Sequence, residues 1–230
     1  MKLPLAHSEQ AETSTAFAFQ RVSLATCILL APLSITLYLV SWEGNQRAPL
    51  TPLLTSAMAG PTGNTLHFIG AMAASFFLPL GYLGMSLLGM RRAPWLATIS
   101  AALSLVGWIP WAALMGLDDL AYDINQVGST AQFVALWRHF NGDAVMTIYL
   151  LIYVIGHLLS AVVIGFMLGR LHLVSAWAAW AFALTSPLTI VIILVHSLAF
   201  QDVFKYLTCI LWILGAIPAA LAMLTNKDLA

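Results

Sequence analysis

Charge is what this sequence has least of. Only 8% of its 230 residues are Asp, Glu, Lys or Arg, against roughly a quarter in an average soluble domain. Nine acidic and nine basic side chains cannot clothe a water-soluble chain of this size, so a soluble enzyme is excluded. The two signs cancel to a net charge of zero. No basic tract exists to bind a nucleic-acid backbone, and the composition is far too apolar for a disordered chain. Cysteine is scarce as well. Cys27 and Cys209 lie inside apolar runs with no partner spacing, which excludes a disulfide framework or a zinc knuckle and leaves two thiols packing as small hydrophobes. A cleavable signal is not expected either. The apolar opening after Lys2 gives way at once to Ser8-Glu9-Gln10-Ala11-Glu12-Thr13, so residues 1–20 are expected to form a cytoplasmic N-terminal tail.

What is present is apolar surface: 61% of the residues and a mean hydropathy of +0.91. The charges divide the chain into uncharged intervals at 22–42, 48–90, 93–117, 144–169, 171–201 and 206–226. Each exceeds the roughly 20 residues that cross about 30 Å of hydrocarbon. In the second interval Pro49, Pro52, Gly60, Pro61 and Gly63 delay the helix to about Thr65. The expected fold is an all-α membrane protein, a six-transmembrane-helix bundle in one domain over residues 21–226. Its spans fall at about 22–42, 65–90, 93–117, 144–169, 173–199 and 206–225, with a C-terminal tail at 227–230. Lys2, Arg21, Arg91, Arg92, Arg170 and Lys227 then share one side, against Arg47, Arg138 and Lys205 on the other. The excess places both termini in the cytoplasm. Trp95, Trp177 and Trp180 suit the inner interfacial belt, and Trp42 and Trp137 the outer one. The lipid bilayer is the first partner implied; a homo-oligomer or a partner subunit stays open, and nucleic acid does not.

Residues 129–140 open with a Ser129/Gln132 capping box, and Phe133, Leu136, Trp137 and Phe140 follow at helical spacing. They predict a short helix in the outer interface. A shift of 108 residues superposes Pro79 on Pro187 and Pro110 on Pro218. Leu103, Gly107, Ile109, Ala112 and Met115 then recur as Leu211, Gly215, Ile217, Ala220 and Met223. Such a pattern suggests a 3+3 inverted repeat of the kind secondary transporters use; chance matches among apolar helices are the plain alternative.

No predicted span carries Asp, Glu, Lys or Arg at its centre, which makes His157 the most informative residue. It stands near the bilayer midplane, where an ionisable group should face protein or a water-filled cavity. Tyr149, Tyr153 and Ser160 share its side of the fourth span at steps of four, four and three. His157 either glues the bundle as a neutral imidazole or serves a proton, ligand or metal. Polar and small residues stripe other helices: Ser100, Ser104, Gly107 and Trp111; Thr185 and Thr189; His67, Gly70, Ala71, Ala74 and Gly81; Thr208, Gly215 and Ala219 around Trp212. Close packing accounts for such stripes. Three of them end near the outer face, at His67, Asp118 and His196. These three form a candidate outer-mouth cluster, suited to a transition metal, a proton or a cationic solute. No His-x-His, HExxH or Glu-x-x-His motif supports a metal. A pair of haems is excluded because no span has two internal histidines; only a single haem bridged by His67 and His196 would remain.

Thr65-Leu66-His67, Pro79, Arg91-Arg92 and Gly116-Leu117-Asp118, in order along residues 60–200, resemble the pattern of bacterial six-helix integral membrane proteins grouped as domains of unknown function. That resemblance implies a multi-pass protein of the bacterial cytoplasmic (inner) membrane and brings no substrate or catalytic residue. The expected function is small-solute or proton-linked transport or binding through an outward-open polar cavity. A membrane-embedded His/Asp metal or single-haem enzyme and a structural or accessory subunit are the alternatives.

Overall fold

The computed structural model describes residues 5–41, 61–127, 131–195 and 197–225, and every regular element among them is helical. No proline or glycine occurs between Leu5 and Ala31, so nothing stops a helix from forming before the apolar run begins. Accordingly α1 (Leu5–Ser41) is continuous through Arg21, so residues 5–20, expected as an N-terminal tail, are helical, and the apolar stretch itself begins at Thr15. The remaining helices are α2 (Pro61–Leu87), α3 (Pro94–Trp108), α4 (Trp111–Val127), α5 (Ala131–Asn141), α6 (Ala144–Arg170), α7 (Ala176–Leu194) and α8 (Leu198–Thr225).

Among the described residues five stretches are long and apolar enough to cross a membrane: Thr15–Ser41, Thr65–Leu87, Pro94–Ile124, Ala144–Arg170 and Ala199–Thr225. The protein is a multi-pass membrane protein. The third stretch joins α3 to α4 across Pro110, which offers no N–H and crowds the preceding turn. Ile109 N–H still reaches the Leu105 carbonyl at 3.0 Å, and the Pro110 carbonyl accepts from Leu114 N–H at 3.1 Å. The helix is thus bent, not ended. It also runs past the expected stop at 117, because Asp118 and Asp119 end an apolar run without ending a helix; α4 continues to Val127. The apolar part of α7, Ala176–Ile192, is shorter than the 173–199 expected. Closing α6 takes up the preceding residues: Leu173 N–H bonds back to the Leu168 carbonyl at 3.0 Å, with His172 in the left-handed region at φ 52°. This is a glycine-type helix stop made by a histidine.

The long helices are neighbours in the ring order α1, α2, α3, α6, α7, α8 and back to α1, and α2 also touches α4, α6 and α8. Small residues let them approach. Gly70 and Gly81 lie on the α1 backbone, Gly165 on Ala179 and Ala183 of α7, and Gly215 on Phe182. The predicted stripes face inward as packing requires: Ser100, Ser104, Ala74, Thr185 and Ala219 are buried. Phe76, Ile99, Leu151, Phe166 and Leu221 are exposed on the outside of the bundle, where lipid would cover them.

The short interfacial helix occurs as α5, while Ser129 of the capping box lies outside the described residues. Phe133, Leu136 and Phe140 are exposed, but Trp137 is not part of that face. It packs with Ala121 and Ile124 of α4, and its indole N–H donates to the Leu117 carbonyl at 3.2 Å. Trp137 therefore anchors α5 to the bundle instead of joining an outer belt. Trp95, Trp177 and Trp180 are exposed, as interfacial residues should be; Trp42 lies outside the described residues.

Candidate functional site

The bend at Pro110 leaves Trp108 at the end of α3 and Trp111 at the start of α4, both buried inside the ring. Their indoles meet edge to face, with centroids 6.1 Å apart. Around Trp108 stand Tyr82 of α2 at 5.5 Å, Tyr153 and His157 of α6 at 5.7 and 5.1 Å, and Trp212 of α8 at 6.1 Å. Phe182 of α7 completes the group against Tyr82. Aromatic faces and edges attract in such tilted arrangements, so these rings tie most of the helices together at mid-depth.

His157 sits within this group and is only 7% exposed. Its ring stacks on Tyr153 at 4.3 Å and 18°. Its Nδ1 lies 2.6 Å from the Tyr153 carbonyl. A carbonyl can only accept, so Nδ1 carries the hydrogen, and in the neutral ring Nε2 is the acceptor. Ser160 is buried one turn on and donates to the His157 carbonyl at 2.9 Å, which leaves the imidazole untouched. Tyr149 does not join them. Eight residues at 100° each set it about 80° around the helix from His157, and it is 40% exposed.

Trp108 is the second polar feature. Its side chain is 1% exposed, and the indole N–H has no acceptor among the described residues. An unmet donor at such depth costs about 1–3 kcal/mol, and most buried donors in proteins are satisfied. The neighbouring hydroxyls cannot be counted as spare donors. Ser100, Ser104, Thr185, Thr189 and Thr208 all donate to carbonyls of their own helices, and Ser186 donates across to the Leu158 carbonyl. What they can turn inward is lone pairs.

A run of rings leads from His157 to the far end of α2. Tyr153 contacts Trp111 at 5.4 Å, Trp111 contacts Tyr38 of α1 at 5.0 Å, and Tyr38 stacks on His67 at 4.1 Å and 30°. The His67 Nδ1–H donates to the Tyr38 carbonyl at 2.9 Å, so each imidazole is oriented by a backbone carbonyl. His67, one of the three residues expected to form the outer-mouth cluster, is buried. His196 and the Asp118 side chain lie outside the described residues. Among the described residues no group of three His, Cys, Asp or Glu side chains comes together to hold a metal.

Sequence reasoning singled out His157, Tyr153 and His67 but missed Tyr38, Tyr82 and Trp108. A signal for Tyr82 existed: it continues the buried face Ala71, Ala74 and Leu78 at helical steps. Trp108 directly follows Gly107, which marks the close crossing. In comparison with known proteins, the chain matches no family model, no curated protein and no solved structure.

Proposed function

We propose that this membrane protein binds a small solute or a proton at His157 and moves it in a proton-linked manner from the side that carries His67. The observation that supports this best is the unmet indole N–H of Trp108 in ring contact with the His157 imidazole. A donor and a proton-accepting nitrogen stand together in the interior, where the neighbouring serine and threonine hydroxyls already donate to backbone carbonyls. A water or a small oxygen-bearing solute can accept from Trp108 and donate to Nε2 of His157. The run of rings through Tyr153, Trp111 and Tyr38 links this point to His67. Asp118 and His196 would complete the outer mouth.

In the same proposal α7 is also a span and brings the number to six. Its 19 residues rise roughly 28 Å at about 1.5 Å each. Both termini face the cytoplasm of a bacterial inner membrane, with the more basic end of the bundle inside. The two halves, α1–α4 and α6–α8, form the inverted repeat. What supports the repeat is the register that superposes Pro79 on Pro187 and Pro110 on Pro218.

Proteoliposomes test the proposal with the proton itself as probe. A potassium gradient made conductive by valinomycin sets the potential, and a trapped pH dye reports entry. Wild-type protein should admit protons faster than protein-free liposomes, and His157→Leu should abolish the difference. Its unfolding free energy should stay within about 2 kcal/mol of wild type, the range of intramembrane polar contacts. Equal rates for wild type and His157→Leu would overturn the proposal. Rates no higher than in empty liposomes would favour a structural or accessory bundle, the alternative supported by the self-satisfied hydroxyl stripes.

A further inference from the structure

Trp108 is not the one tryptophan with an unmet donor. The indole N–H of Trp212 on α8, a residue 5% exposed, also has no acceptor among the described residues. The Tyr82 hydroxyl approaches it without meeting hydrogen-bond geometry. The two indoles are in tilted contact, with centroids 6.1 Å apart and planes at 36°, and the Tyr82 ring touches both. Each of the three nitrogen-bearing rings has a buried hydroxyl one helical turn away on its own helix: Ser104 for Trp108, Thr208 for Trp212 and Ser160 for His157. Those hydroxyls donate to carbonyls of their own helices, so each offers lone pairs alone. Among the described residues no Asp, Glu, Lys or Arg is buried.

We propose that the solute bound here is a small neutral alcohol or polyol, held by Trp212 together with Trp108 and His157. The assignment rests on the reading of His157 as the binding point and names the class of compound it takes. A hydroxyl oxygen carries two lone pairs and one hydrogen. Its lone pairs can accept from both indoles and its hydrogen can go to Nε2 of His157, so one group answers two unmet donors and one acceptor. A second hydroxyl can donate to the lone pairs of Ser104, Ser160 or Thr208. Other classes match less well. An ether or ketone has no hydrogen for Nε2, and urea brings more donors than acceptors to a place already rich in donors. A carboxylate or an ammonium would shed its hydration and find no buried counter-charge. The rings around Trp108 and Tyr82 stand 5.1–6.2 Å apart, which limits the solute to a few heavy atoms, and their apolar faces suit its C–H groups.

Stopped-flow light scattering of proteoliposomes shocked with glycerol or with urea tests the assignment. Wild-type vesicles should reswell in glycerol faster than protein-free liposomes, and in urea at the protein-free rate. Trp212→Phe keeps an aromatic ring but loses the N–H. It should slow protein-dependent glycerol entry on the order of tenfold, the effect of one hydrogen bond, while retaining Tm, helical circular dichroism and His157-dependent proton entry. Trp177→Phe, at an exposed position, should change nothing. A measurement on the wild type alone stands beside the variants: glycerol should saturably shift the indole N–H resonances of two of the eight tryptophans, and urea none. Glycerol entry no faster than in protein-free liposomes, equal acceleration of urea, a full glycerol rate in folded Trp212→Phe, or no indole shift would overturn the proposal. Glycerol entry that needs Trp212, with equal proton entry in wild type and His157→Leu, would uphold the alcohol site and refute the proton linkage. Proton entry that needs His157, without glycerol entry, would do the reverse.

Discussion

Gly107 of α3 and Gly156 of α6 lie so close that neither position has room for a Cβ atom. A methyl group built on Gly107 would meet the backbone of Gly156 and His157, and one on Gly156 would meet Gly107 and the Leu103 carbonyl at 3.2 Å. The crossing thus sets the distance between Trp108 and His157, each adjacent in sequence to one of the glycines. Gly107→Ala should force the two helices apart at a cost of about 1–3 kcal/mol, the usual range for overpacking. It should also remove His157-dependent proton entry. Gly116→Ala on α4 is the control, because nothing lies within 4 Å of its missing Cβ. It should be neutral or stabilising by up to about 1 kcal/mol. Reversible unfolding of both variants in mixed micelles would compare them directly.

Asp143 offers a local test of how α6 begins. Its carboxylate accepts from Met146 N–H at 2.8 Å, while its own backbone is extended, the arrangement of an N-cap. Asp143→Ala leaves that N–H without its side-chain acceptor and should cost about 1 kcal/mol. Asp143→Asn keeps an acceptor oxygen at the same place and should recover most of the loss. An equal loss in both variants would show that the charge near the helix dipole matters more than the cap bond.

Much of the architecture was legible because hydropathy and charge report where lipid must be. Thr65–Leu87 and Ala144–Arg170 fall close to the spans expected at 65–90 and 144–169. Helix ends were not legible in the same way. A helix stops where its hydrogen bonding is broken, so Asp118 and Arg21, which change polarity alone, lie within continuous helices, whereas His172 ends one. The candidate site divides along similar lines. His157 stands out as an ionisable group in an apolar run. Its partners do not, because an aromatic residue on a spanning helix suits lipid as well as a core. Whether Trp108 faces inward is decided by the Gly107–Gly156 crossing, a contact between residues far apart in sequence. Trp137 was misread for the same reason: its spacing with Phe133 and Phe140 implied one apolar face, but α4 takes the tryptophan and leaves the phenylalanines exposed.

His172 is exposed and holds φ 52°, a conformation that costs an L-residue with a Cβ roughly 1–2 kcal/mol and costs glycine almost nothing. His172→Gly should therefore stabilise the turn between α6 and α7, by up to about 1 kcal/mol once the added freedom of the unfolded chain is set against it. His172→Val, β-branched in the same position, should destabilise. Thermal unfolding of the two variants should move in opposite directions. Movement in the same direction would show that the imidazole, not the backbone, holds the turn.

Trp137 connects α5 to the bundle through a small cluster with Ala121, Ile124 and Val134, apart from the main core. Removing a buried tryptophan side chain costs about 3–5 kcal/mol when the loss is felt globally. A satellite cluster can instead open on its own, leaving the rest of the fold in place. Trp137→Ala should therefore accelerate hydrogen exchange across Ala131–Asn141 while shifting global unfolding by less than about 1 kcal/mol. Leu136→Ala, on the exposed face of α5, removes none of these contacts and should leave exchange in that segment unchanged. If α5 instead closes over the His67 end of the bundle, Trp137→Ala will also raise proton entry in the liposome assay. A variant with faster exchange and unchanged entry would show that α5 is an anchor and not a lid.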